Sequence, residues 1–178
     1  MDNSLLGRLV HGLAKAAAIA GGCVLLVATA ITVASIIGRA LIPLGLRPVP
    51  GDFELMQSGV LFAVFTFLPW CHLERGHAVV AIVTDQFPAR IGAFAEFVWD
   101  LVMLAAAAFL AWRLSAGLLD KYGNGEATFI LRLPVWISYS GGLAGALVFV
   151  AAAAYCAVRS GRNALSANPA RPVSGAGE

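Results

Sequence analysis

Residues 96–115 read EFVWDLVMLAAAAFLAWRLS, a run that a lipid bilayer accepts apart from Glu96 and Asp100 near its start. A helix needs roughly 20 apolar residues to cross the hydrocarbon core of a membrane. Glu96 and Asp100 are one helical turn apart and so share a face. Three uses suit such a pair: an ion or proton site, a contact with another helix, or a solvated end.

The rest of the chain sets the context. Its 178 residues are 60% hydrophobic and 12% charged, with a mean hydropathy of +0.82. Soluble domains carry about 25% charged residues, so the composition is that of an integral membrane protein. A net charge of +2 gives no footing for nucleic-acid binding. Cys23, Cys71 and Cys156 lack C-x-x-C spacing and lie in or beside apolar runs, which reads as packing rather than a disulfide or zinc site.

Four segments have the length and hydropathy of spans: Ala16 to Ile37, Leu55 to Cys71, Phe94 to Leu114, and Pro134 to Val158. Pro69 is expected to end or kink the second. The pattern predicts an all-α integral membrane protein with four transmembrane helices over residues 16–160. An amphipathic helix over residues 1–15 should lie on the membrane surface before them. Leu5, Leu6, Leu9, Val10 and Leu13 recur there at helical spacing, away from Arg8, His11 and Lys15. A signal peptide cleaved at Ala28-Thr29-Ala30 is disfavoured, because the apolar run continues to Ile37. Residues 161–178, rich in Ala, Ser, Pro and Gly, read as a disordered tail.

An even number of spans puts both termini on one side. Arg8, Lys15, Arg75, Arg90, Arg159, Arg162 and Arg171 fall on that side. Arg39, Arg47, Lys121 and Arg132 fall on the other, with Arg113 close to its edge. The positive-inside rule makes the termini cytoplasmic.

In the first outer loop Pro43, Pro48 and Pro50 hold the chain extended. Glu54 then places a carboxylate at the positive end of the second helix. The second outer loop has a turn signal at Gly123-Asn124-Gly125, and both loops are candidate docking surfaces. On the cytoplasmic side residues 71–92 are half apolar, and Pro88 is placed to start the third helix. Gly141 and Gly145 form G-x-x-x-G in the fourth span, with Ala18 and Gly22 at the same spacing in the first. These small faces mean helix packing, within the chain or against a partner.

No reactive set stands out. His72 and His77 lie together at one interface and His11 precedes the first span, which does not suit haem between helices. There is no Gly-rich phosphate loop and no Ser-His-Asp spacing, so neither an enzyme nor a cofactor is expected. Only the third span has charge in its interior. With Arg90 at the cytoplasmic edge, Asp100 lies about 6 Å deeper than Glu96. Arg75, His72 or Lys15 of a neighbouring segment could pair with it. Pairing and packing is the favoured use, with an ion or proton role as the alternative.

The order of landmarks resembles the small membrane subunit of tripartite ATP-independent periplasmic (TRAP) transporters, the DctQ-like family, over roughly residues 16–160. The landmarks are Gly38-Arg39 after the first span, PGDFEL (50–55) leading into the second, ERGHAVV (74–80), Phe87-Pro88, and LPVWISYSGGLAGAL (133–147) at the fourth. Ala40 and Leu41 stand where the family usually has aromatic residues, and Ala81 where it often has an acid or amide. The resemblance implies a partnership with a large DctM-like membrane subunit that carries the substrate and sodium sites. It also implies a periplasmic solute-binding protein delivering an organic acid such as a dicarboxylate. The chain itself would be a fixed scaffold in the bacterial inner membrane. Arg39 and Glu54 would then orient the first two spans, and Arg75 and His77 would fix the cytoplasmic connection. Pro134, Trp136 and Tyr139 would seat the fourth span. Arg47, Asp52, Asp120, Lys121 and Glu126 would be contacts for the periplasmic protein. The small subunit of a tripartite tricarboxylate transporter, or a stand-alone structural membrane protein, is the alternative.

Overall fold

The computed structural model of the chain describes residues 5–74 and 89–166. The helices are α1 (Leu5–Ala40), α2 (Asp52–Leu73), α3 (Ala89–Asn124) and α4 (Val135–Ser166), with a short 3-10 turn at Ile42–Leu44. Each of the four is long and apolar enough to cross a membrane. Among the described residues no strand forms, and one isolated bridge joins Ala127 to Pro134. The expected all-helical, four-span architecture is therefore present.

Small residues let α1 lie against α2. Gly7, Ala14, Gly21, Ala28 and Ser35 recur every seventh residue, and all five are buried. A seven-residue period keeps one seam of a helix facing its neighbour. With no hydrophobic force between helices in lipid, close contact of small residues is what holds them. At Gly21 a Cβ would fall 2.1 Å from Thr66 Oγ1 and 3.3 Å from Ala63 Cα, so no side chain fits. The Ala18 and Gly22 face, expected to pack within the chain or against a partner, is not used within the chain at Gly22. A Cβ on Gly22 would meet nothing within 4 Å, because that spacing marks a neighbouring face of α1.

The hub is α4, which packs against α1, α2 and α3. Its glycines serve α2. A Cβ at Gly141 would lie 3.1 Å from the Phe62 ring, and one at Gly145 only 2.8 Å from the Phe65 carbonyl carbon. The G-x-x-x-G face is thus used inside the chain. Pro69 explains the closeness at Gly145. It lies within α2 and has no N–H to donate to the Phe65 carbonyl, and Gly145 of α4 packs on that carbonyl. The proline does not end the helix, which continues to Leu73. On its other side α4 meets α3 through Ala107, Phe149 and Ala153, and through Ala111, Leu114 and Ala146. Phe65 and Leu68 of α2 reach these clusters by their side chains.

The helices outrun the apolar segments that define them. Residues 1–15 are not a separate element from Leu5 on, since α1 is continuous to Ala40. At 36 residues it is about 54 Å long, well beyond a ~30 Å hydrocarbon core. Leu5, Leu9 and Leu13 form an exposed apolar stripe on its first turns. Helix α3 runs past Leu114 to Asn124 and stops where Gly125 adopts φ +64°. Helix α4 extends to Ser166, so 161–166 are helical. The rest of the expected tail lies outside the described residues, as do Arg75, His77, Pro88 and the cytoplasmic connection.

Candidate functional site

Two polar assemblies stand out, one at each end of the bundle. At the loop end, Gly38 lets the first loop fold back on α1, because a Cβ there would lie 2.5 Å from the Arg47 carbonyl oxygen. The next residue, Arg39, reaches the start of α2. Its Nη2 donates to Asp52 Oδ2 at 2.9 Å. Asp52 also accepts from the Phe53 N–H at 2.9 Å. Gly51 precedes the helix at φ +75°, and Leu131 of the second loop occupies the space its side chain would need.

Glu54 joins the two loops. Its Oε1 accepts from the Ile130 N–H at 2.8 Å and its Oε2 from the Leu131 N–H at 3.0 Å. A carboxylate accepting two backbone N–H groups is a charge-assisted clamp. Leu131 is thereby held over Gly51, and Arg132 beside it takes a left-handed φ of +52°. The second loop closes on itself through Thr128 N–H to Leu133 O (2.9 Å) and Val135 N–H to Glu126 O (3.0 Å). Lys121 Nζ lies 2.8 Å from Glu126 Oε2 and 3.8 Å from Asp120 Oδ2.

The start of α4 contacts both α3 and α2. Pro134 precedes the helix, and Trp136 meets Tyr122 edge-on at 5.8 Å between ring centroids. Tyr139 covers Gly117, where a Cβ would lie 2.7 Å from its ring. Ser138 Oγ donates to Ser58 Oγ at 2.8 Å, joining α4 to α2.

At the other end, α2, α3 and α4 meet in a buried knot. The Ser160 hydroxyl is in hydrogen-bond contact with Asp100 Oδ2 and lies 2.6 Å from the Cys156 carbonyl oxygen. Having one proton, it serves one of these acceptors at a time. His72 Nε2 stands 3.7 Å from Asp100 Oδ1, an ion-pair distance when the imidazole is protonated. The His72 ring also packs edge-on to Phe149 at 5.9 Å. His72 and Ser160 are both buried. The approach of His72 to Asp100 agrees with the pairing expected for that acid. Glu96, one turn earlier, is half-buried. Nearby, His11 Nε2 lies 3.0 Å from Glu74 Oε1 and its ring meets Trp70, tying α1 to the end of α2.

Serine, histidine and aspartate together invite comparison with a hydrolase, but the order of contacts is wrong. Ser160 turns to Asp100, and His72 approaches the other oxygen of that carboxylate, so the imidazole does not stand between serine and aspartate as it does in a triad. Among the described residues no three His, Cys, Asp or Glu side chains could hold a metal ion. What this arrangement does is bind three helices to one another.

Sequence reasoning placed Arg39, Glu54 and Asp100 at the right ends of their helices. It assigned Asp52, Asp120, Lys121 and Glu126 to docking, whereas the structure engages each in a contact within the chain. Arg47 is exposed in the first loop. Ser160 and the heptad of α1 were missed. The heptad was detectable, as small residues at a strict period of seven; nothing around Ser160 marks it.

Neither the comparison with curated proteins nor that with solved structures found a match. Residues 28–163 do match a family, described as the DctQ component of tripartite ATP-independent periplasmic transporters. That match takes in the end of α1 from Ala28 on, both loop clamps and the buried knot, so the chain belongs to the DctQ family, the small membrane component of TRAP transporters.

Proposed function

We propose that the chain is an immobile brace for a large DctM-like membrane subunit, in sodium-coupled uptake of an organic acid such as a dicarboxylate. The large subunit carries the solute, which a periplasmic binding protein delivers. The complex sits in the bacterial inner membrane with both termini of this chain cytoplasmic, as the distribution of basic residues favours.

One observation carries the reading. Two sets of polar groups within the helices join helix to helix, the Ser58–Ser138 bond and the knot of His72, Asp100 and Ser160. A solute path favours broken helices and convergent polar groups at mid-depth. Here the helices are continuous and bound laterally, which suits a part that stays still.

Reconstitution tests this. Proteoliposomes with this chain alone should not accumulate a dicarboxylate, whereas adding the large subunit, the binding protein and a sodium gradient should give uptake. Accumulation by the chain alone overturns the proposal. The expected docking contacts divide by their structural ties. Reversing Asp52 or Lys121 also breaks an internal pair, so Arg47→Glu is the clean probe and should slow uptake while the membrane complex survives. Unchanged uptake in reversals of Arg47, Asp52, Asp120, Lys121 and Glu126 removes the docking role.

A further inference from the structure

Helices α2 and α3 do not run side by side. They come together toward the terminal side, where His72 nears Asp100 and where Leu68 packs on the cluster around Ala107. Toward the loops they part and leave an open cleft of about 1000 Å³. Gln57 and Val64 are on the α2 wall, Arg113 and Leu114 on the α3 wall, and Ser138 and Tyr139 of α4 form the floor.

Arg113 is the unusual member. It is exposed and has no hydrogen-bond or ion-pair partner among the described residues. Tyr139 covers Gly117, and Arg113 lies one turn further from the loops, about 6 Å deeper. A cation at such depth in a membrane protein pairs with something or marks a site. Its long stem also lets the guanidinium rise toward the headgroups.

We infer that the cleft holds one membrane phospholipid from the leaflet on the loop side, its phosphate on Arg113 and an acyl chain beside Val64 and Leu114. Three features select this occupant. The guanidinium fork matches phosphate oxygens in charge and geometry. Hydroxyls, an amide and the Asp120 carboxylate lie toward the loops, with Asp120 engaged by Lys121 and Asn124, and the walls turn apolar below them, which is the polarity of a lipid. The cleft also closes partway down, where Phe65 and Leu68 reach the α3–α4 clusters. A lipid one leaflet long fits that depth, whereas a spanning helix of another protein would be turned out of the groove. The site would fill the gap between α2 and α3 and stiffen the bundle. It does not depend on the uptake role proposed above.

The test is native mass spectrometry of the full chain, extracted in mild detergent with whatever copurifies, and then washed with detergent until bulk lipid is gone. The wild type should keep one phospholipid per chain. Arg113→Gln should retain it roughly tenfold less, the loss of a charged hydrogen-bond partner. Val64→Trp, which fills the cleft and leaves the arginine, should also lose it, while Arg8→Gln on α1 should not. A photo-crosslinking residue at Gln57 should capture lipid in the intact membrane. Equal retention in Arg113→Gln and Val64→Trp, no retained lipid in the wild type, or capture of a protein partner at Gln57 would overturn the inference.

Discussion

Gly145→Ala adds one methyl group at the tightest crossing of α2 and α4. The new Cβ would lie 2.8 Å from the Phe65 carbonyl carbon and 2.9 Å from its oxygen, against the 3.4 Å at which ordinary contact begins. The obstacle is backbone, so no rotamer change relieves it, and α4 must move off α2 by about 0.6 Å, the difference between those distances. That shift strains the Ser138–Ser58 bond and loosens the Phe65 contact with the Ala111–Leu114–Ala146 cluster. Overpacking of this kind costs about 1–3 kcal/mol, and a backbone obstacle puts it toward the upper end. Gly142→Ala is the internal control. Its Cβ would meet Leu61 and Phe65 side chains at 3.5 Å, an ordinary contact, so the cost should stay below about 1 kcal/mol, and the better helix propensity of alanine offsets part of it. The assay is reversible unfolding in mixed micelles of mild detergent and dodecyl sulfate, followed by tryptophan fluorescence. Equal midpoints for the two variants would refute the claim that the carbonyl left free by Pro69 sets the α2–α4 distance.

Two further substitutions separate roles that the geometry alone assigns. Asp100→Asn keeps an acceptor for Ser160, so a structural knot should survive it with uptake by the full complex near normal, whereas Asp100→Ala leaves the Ser160 hydroxyl to the Cys156 carbonyl of its own helix, breaks the tie between α3 and α4, and should cost about 1.5–3 kcal/mol in the same unfolding assay. Loss of uptake in Asp100→Asn with stability retained would instead indicate a proton or ion role. At the loop end, Arg39→Asp and Asp52→Arg should each lower yield of folded protein by size-exclusion chromatography, and the double swap should recover it. No recovery would mean that the ion pair does not orient the first two helices.

How far the sequence reached depended on the kind of signal. Spans were legible because each apolar run passes the length that a bilayer imposes. Their ends were not, since hydropathy falls before the helix does. Residues 115–124 are mixed in polarity yet helical, and α3 stops only where Gly125 turns left-handed. The small-residue seam by which α1 meets α2 was not read, because i, i+4 spacing was sought at Ala18 and Gly22. The seam instead follows a seven-residue period through Gly21. Glu54 was read through the helix dipole and, by the resemblance, as a residue orienting the first two spans. Its real partners, the N–H groups of Ile130 and Leu131, lie in a loop far along the chain that no local pattern announces.

The landmarks of the family resemblance can now be given physical reasons at the loop end. Gly38 admits the returning loop, Arg39 pins it by Asp52, Gly51 makes room for Leu131, and Glu54 holds Leu131 there. These residues form one clamp, in which the loss of any member frees the next. The clamp fixes the α1–α2 and α2–α4 corners, while α3, packed closely on α4 and met by α2 at His72 and Leu68, keeps its other flank exposed. Rigidity on one side and an uncovered helix on the other is what a brace needs, since the face that meets a partner cannot also be buried at home. Trp99, Phe109 and Trp112 on α3 are large, exposed and aromatic, and aromatic residues dominate tightly packed interfaces. Alanine at these three positions should therefore reduce copurification of the large subunit more than alanine at the exposed Leu26 and Val27 of α1, and the reverse ranking would place the partner on α1.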